Sequence, residues 1–202
     1  MEQNTKQNIL GAEQLMMESA DKLVVFLCFE QNRCLFCGYN QHDETDFFYE
    51  EKVFSKEKSL SENFKEFYFK NDYFTYPFKQ VTIVHVSRNY TLIPSEAYDA
   101  SMIKNLLGFA FSDATGKALN DSLPDQHAEL IYSMPGELYE FCSRSFLNPI
   151  FKHPMSAVII SLLKQSRSVV AKQLSVFVRH AEVDVVCTHR GELLYANSIA
   201  CS

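Results

Sequence analysis

Apolar positions run unbroken from Leu23 to Phe29, pause at Gln31-Asn32-Arg33, and resume from Cys34 to Tyr39. Two short apolar runs divided by a polar turn predict a β-hairpin. Phe47, Tyr49 and Val53, set among polar neighbours between Thr45 and Phe54, predict a third strand. Ser61 offers an N-cap for a short helix carrying Phe64, Phe67 and Tyr68 at i, i+3, i+4 spacing. Val81 to Val86 is apolar on both faces and reads as a buried strand, and Tyr90 to Ile93 as another. Pro94-Ser95 opens a predicted helix with Tyr98, Met102 and Leu106 on one side, stopped at Gly108. The long polar stretch of residues 112–126 predicts an exposed loop. Ala128 to Tyr132 then reads as a strand, and Leu138, Phe141, Cys142 and Phe146 stripe a helix after Pro135-Gly136. Pro154 suits the first position of a helix carrying Val158, Ile159, Leu162 and Leu163. Three strands close the pattern, at Leu174–Val178, Val183–Cys187 and Leu193–Ala196, turning at 180–182 and 189–192. A three-strand meander thus occurs near each end, with mixed α/β elements between.

The chain has 202 residues and a formal net charge of −6, so it lacks the broad positive field of a non-specific nucleic-acid binder. No apolar run approaches the ~20 residues of a membrane span. Residues 1–20 are polar, with a short apolar face at Leu15, Met16 and Met17, and read as a frayed arm or short helix without a secretory signal. Six cysteines sit in apolar strings such as FLCF, EFCS and VVCT, where reduced thiols act as small hydrophobes. The expectation is a cytoplasmic protein without disulfides.

Four stretches together resemble a known family: LVVFLCFEQNRCLFCGYN, PFKQVTIVHVSRNYTLIPSEAYD, PGELYEFCSRSFLNPIFKHPMS and LSVFVRHAEVDVVCTHRGELLYANS. It is a bacterial family, best known from Bacteroidetes, that carries a domain of unknown function numbered thirty-eight twenty-two. The resemblance covers most of residues 22–202. That family is in turn similar to actin-like proteins of the PilM and FtsA kind, which implies an α/β ribonuclease H/actin-like fold with two related halves. On this resemblance residues 1–20 form an arm, 21–170 a first half with an inserted αβ segment, and 171–202 the start of a second, truncated half.

The resemblance makes one chemical test possible. Actin-like ATPases grip phosphates with two hairpins, each needing an acidic residue for the Mg²⁺ shell and glycines that let backbone N–H groups approach. The first turn here is Glu30-Gln31-Asn32-Arg33, with a carboxylate but no glycine. The matching second turn is Val178-Arg179-His180-Ala181-Glu182, where Asp-x-Gly-Gly would be expected. Glu30 and Arg179 are therefore the residues that would meet ATP and magnesium if nucleotide bound. No Walker lysine motif or GxGxxG stands elsewhere.

Other constellations carry less. Cys34 and Cys37 have CxxC spacing, but on a strand residues three apart point to opposite faces, which favours packing over a metal or redox pair. His153 precedes a helix, where it could cap or contact an anion. His85 reads as a core-edge residue, and His180 and His189 fall in successive turns at opposite ends of one strand. Asp43, Glu44 and Asp46 form a solvated acidic turn, and no GxSxG elbow accompanies the serines. Residues 64–78 hold eight Phe or Tyr in fifteen positions. Either they cover the sheets or part of them, at Phe67, Tyr68, Tyr73, Phe74 and Tyr76, forms a partner-binding surface. Interleaved Lys65, Lys70 and Lys79 resemble a single-strand nucleic-acid platform, weakened by Glu66, Asp72 and the overall acidity. The expectation is a non-catalytic actin-like protein, without cofactor, that binds another protein. The alternatives are a nucleotide-dependent ATPase and an RNA-associated accessory protein.

Overall fold

The computed structural model describes residues 11–179 and 182–200. Its strands, in chain order, are β1 (Leu23–Glu30), β2 (Arg33–Asn40), β3 (Asp43–Val53), β4 (Gln80–His85), β5 (Tyr90–Pro94), β6 (Lys117–Leu123), β7 (Ala128–Met134), β8 (Ile150–Lys152), β9 (Gln173–Val178), β10 (Glu182–His189) and β11 (Glu192–Ala200). The α-helices are α1 (Leu60–Lys70), α2 (Ile103–Ala110), α3 (Gly136–Ser145) and α4 (Pro154–Ser166).

These elements form two compact units that interleave along the chain. The first takes Met1–His85 and Glu137–Phe151, and the second Val86–Gly136 and Lys152–Ser202. The division differs from the expected boundary at 170/171: β5 to β7 and α4 join the second meander. The reason is packing, since Tyr90, Leu130, Tyr132, Met155 and Ile159 share one buried cluster with Val186 of β10.

In the first unit the sheet order is β3-β2-β1-β4-β8. β1 pairs antiparallel with β2, Leu27 opposite Phe36, and parallel with β4, Leu27 opposite Ile83. Both faces of β1 are covered, which is why its sequence is apolar without alternation. Gly38 of β2 is a close-approach position, because an added Cβ would stand 2.6 Å from the Phe48 ring and 2.9 Å from the Val24 carbonyl. Helix α1 starts at a capping box: the Glu62 N–H donates to Ser59 Oγ (3.2 Å), and the Ser59 N–H donates to the Glu62 carboxylate (2.9 Å). The cap is therefore Ser59 and not Ser61, which lies buried in the first turn.

The second unit holds two three-stranded sheets, ordered β5-β7-β6 and β11-β10-β9. Two expectations change here. Ser95–Ala97 forms only a 3₁₀ turn, and the helix runs from Ile103 through Gly108, where an added Cβ would meet nothing within 4 Å. Residues 112–126, expected as a loop, contain strand β6. Its polar residues are paired across the sheet or towards α4: Asn120 Nδ2 donates to Glu129 (2.9 Å), and Asp121 is 1% exposed. The turn before β6 depends on Gly116, whose φ of +98° is in the left-handed region.

Candidate functional site

The two hairpin turns that would face phosphate are each closed by internal ion pairs. In the first unit β1 ends at Glu30, Gln31 takes a φ of 46°, and β2 begins at Arg33. The Glu30 carboxylate accepts from Arg33 Nε at 3.0 Å and from its Nη2, and Arg33 Nη1 lies 3.3 Å from Glu51. Hydrogen bonding to Glu30 raises the Arg33 guanidinium above its ordinary value. Glu30 thus already has a cation, and the turn offers no glycine N–H.

In the second unit Arg179 follows β9, and its own N–H donates to the Glu182 carbonyl at 2.8 Å. Its guanidinium reaches Asp184 through Nη2 (2.9 Å) and Nε (2.7 Å), and Glu182 Oε2 at 3.0 Å. Asp184 is 2% exposed and also accepts from the Tyr90 hydroxyl at 3.1 Å. Burial first, and then the Asp184 charge, push the Tyr90 phenol well above its usual range. Two carboxylates therefore hold one arginine, leaving the cluster net negative. Arg179, the residue that the resemblance would set against a phosphate, is thus engaged by these two carboxylates. His180 and Ala181 lie outside the described residues, and with them the expectation for His180.

A second polar cluster, which the sequence does not announce, lies inside the second unit. Asp121 Oδ2 accepts the His153 backbone N–H at 2.8 Å, and Ser156 Oγ lies 2.7 Å from both that oxygen and the His153 carbonyl. Lys152 Nζ stands 3.3 Å from the other carboxylate oxygen. His153 is fully buried and caps α4, its Nδ1 accepting the Met155 N–H at 3.2 Å. That acceptor role places the ring proton on Nε2, which donates to the Ser87 carbonyl at 2.8 Å. The rings of Tyr90 and Tyr132 lie 4.6 and 5.2 Å from the imidazole. An aspartate, a histidine and a serine meet here, but no ring nitrogen is directed at Ser156. The trio is wired as a helix cap and not as a nucleophile with its base. The His-Pro pair signals the cap in the sequence; Asp121 carries no signal because its partners are more than thirty residues away.

The thiols point away from metal or redox work. Cys34 is fully buried and Cys37 half-buried three residues along the same strand, opposite Phe29 and Phe26 of β1. Burial pushes the Cys28 thiol up to about 12 and raises Cys34 and Cys37, the reverse of an activated thiolate. Among the described residues no three His, Cys, Asp or Glu side chains are grouped to hold a metal ion.

The aromatic block is spent largely on the first unit's core, the first of the two readings that the sequence left open. Phe67, Tyr73 and Phe74 are buried, while Tyr68 and Tyr76 are half-buried. Phe74 meets Phe36, Phe64, Phe67, Tyr68 and Tyr73 at centroid distances between 4.7 and 5.8 Å. The Tyr73 hydroxyl donates to Glu50 at 3.0 Å, and the Tyr68 hydroxyl lies 3.4 Å from the Ser145 carbonyl. Of the run only Phe69 is strongly exposed, at 75%. Of the interleaved lysines, Lys65 Nζ stands 5.8 Å from the Phe141 ring and Lys79 Nζ donates to Gln41.

Comparison with known proteins now settles the family. The profile of the family described as protein of unknown function DUF3822 matches residues 13–202. The chain belongs to this family. No curated protein matches it. Among solved structures, the DUF3822 chain is similar to a protein with actin-like ATPase fold and unknown function from Bacteroides thetaiotaomicron VPI-5482. That likeness has a TM-score of 0.83 at 21% identity, over 93% of this chain and 74% of the other. It is also matched, at a TM-score of 0.46 and 7% identity, to a chain of a PilM-PilN type IV pilus biogenesis complex, over 88% of this chain and 61% of that one. The first of these likenesses shows the actin-like fold expected from the four sequence stretches. Among the described residues of the DUF3822 chain no helix is long and apolar enough to cross a membrane.

Proposed function

We propose that this DUF3822 chain is a non-catalytic actin-like protein of the cytoplasm that acts by binding another protein. The observation that carries the proposal is the Arg179 cluster. Where the fold would present glycine N–H groups to a nucleotide phosphate, an arginine is held by Asp184 and Glu182. The first turn supports the same conclusion, because the Glu30 carboxylate that would organise magnesium is engaged by Arg33. An anion entering the second turn would have to displace a partly buried ion pair, and breaking such a pair costs about 3–5 kcal/mol.

Thermal melting with and without millimolar ATP and Mg²⁺ tests this. A ligand bound at a hundredfold excess over Kd stabilises by roughly 2.7 kcal/mol, which a melt of this size of chain resolves as several degrees. The expected result is an unchanged melting temperature. A magnesium-dependent rise that Glu30→Ala abolishes would overturn the proposal in favour of an ATPase, and salt-sensitive retention on RNA would favour the accessory-protein alternative.

A further inference from the structure

The first unit's sheet ends in two unequal strands: β8 has 3 residues and β3 has 11. Hydrogen-bond parity fixes which groups line the outer edge of β3. The Phe54 N–H donates to the Asn32 carbonyl at 2.7 Å, so Lys52, Glu50 and Phe48, alternating from it, turn their backbone groups towards β2. Phe47, Tyr49, Glu51 and Val53 turn theirs outward, where they meet no backbone partner among the described residues. The register with β2 shifts just before Phe47, so the regular stretch of this edge is residues 47–53. A long open edge is a template for a further strand. Beside it, a groove of about 330 Å³ lies between β3 and α1, with Lys52 and Lys70 in its walls. Its carboxylates are engaged, Glu66 by Lys58 and Glu50 by the Tyr73 hydroxyl. Lys52 and Lys70 form no ion pair among the described residues.

We infer that two copies of the chain join edge to edge along β3, antiparallel, about a two-fold axis through Tyr49. The charges of the strand select both the second copy and the register. About Tyr49, the outward groups of Phe47, Tyr49 and Glu51 exchange N–H···O=C bonds with those of the partner's Glu51, Tyr49 and Phe47. Lys52 then stands opposite the partner's Asp46, and no like charges face each other. Other axes within the regular stretch fail this test. An axis at 47 sets Asp43 against Glu51, and one at 48 sets Asp46 against Glu50. Axes at 50, 51 and 52 set Glu50, Glu51 and Lys52 each against itself, and an axis at 53 carries the ladder past the end of the strand. Asp46 accepts from Asn40 Nδ2 at 3.2 Å and, like Lys52, has no ion-pair partner among the described residues. One strand thus holds both members of the pair, equally far from Tyr49, and a single two-fold satisfies both twice. The edge belongs to the first unit, and the inference does not depend on whether the hairpins bind nucleotide.

Sedimentation velocity of the purified chain from about 1 to 100 µM reads the mass directly. The expected result is a reversible shift from the 23.3-kDa chain to twice that mass. Reversing one charge, by Asp46→Lys or by Lys52→Asp, is expected to raise the dimer dissociation constant at least about tenfold, because both attractive pairs become repulsive. Mixing these two variants is expected to restore it to within about threefold of the unmodified chain, since each supplies the charge that the other lacks. Glu51→Pro removes an outward N–H that β3 does not use in its own sheet, and is expected to keep the chain monomeric throughout. Circular dichroism checks that this variant keeps its fold; should it not, the mixing experiment carries the test. A chain that stays monomeric at every concentration would overturn the inference and leave the edge to a strand of another protein. A dimer indifferent to the single reversals, one that mixing does not restore, or one that persists in folded Glu51→Pro protein would overturn it equally.

Discussion

Replacing Phe74 by alanine is expected to destabilise the first unit by about 3–5 kcal/mol, the range for truncating a buried aromatic ring in a packed core. Phe74 is 1% exposed and meets five other rings, so its removal leaves a cavity bordered by stiff aromatic walls that collapse poorly. At 2–4 °C per kcal/mol for a chain of this length, the melting temperature falls by roughly 6–20 °C. Phe69→Ala is the matched control: five residues away, of the same type and 75% exposed, it is expected to stay within about 0.5 kcal/mol. A urea titration on the two variants separates core from surface. Equal effects at the two positions would show that the aromatic block is not packed as described.

Asp121→Ala is the second large effect, expected at about 3–5 kcal/mol in the second unit, because one partner of a buried hydrogen-bonded network is removed and the rest stays buried. The His153 N–H loses its acceptor, the Ser156 hydroxyl keeps only the His153 carbonyl, and the ammonium of Lys152 loses its counter-charge. Asp125→Ala, four residues on, removes only an exposed pair with Arg167 and is expected to cost less than about 1 kcal/mol. Asp121→Asn keeps an acceptor oxygen for His153 and is expected to fall between the two. Chemical denaturation monitored by circular dichroism compares all three. An Asp121→Ala protein as stable as the Asp125→Ala protein would show that the cap of α4 does not rest on this carboxylate.

What the sequence revealed, and what it concealed, follows from the range of the interactions involved. Strands β1, β2, β7 and β10 were legible because burial on one or both faces imposes a local apolar pattern, and Pro154 marked the start of α4 because its fixed φ suits that position. Strand β6 was not legible. Asn120 and Asp121 read as loop residues until Glu129, His153 and Ser156 are brought to them, and nothing local records those meetings. The same limit applies to the aromatic block, since eight rings in a row say that something is covered but not which face covers it. Glu30 and Arg179 were recognisable as hairpin residues. The carboxylates that hold Arg179 stand three and five residues further on, and their meeting with it is set by the pairing of β9 with β10, which no local pattern records.

The interleaving of the two units has a consequence for how the molecule can be taken apart. The chain leaves the first unit after His85, returns at Glu137, and leaves again after Phe151. Each unit is therefore assembled from two stretches of polypeptide that are never adjacent in sequence. A cut after His85 leaves all of the second unit's residues on one piece and a cut after Phe151 leaves all of the first unit's on one piece, whereas a cut between Gly136 and Glu137 yields two pieces of which neither holds a whole unit. The middle connection is thus the one place where a single break divides both units at once.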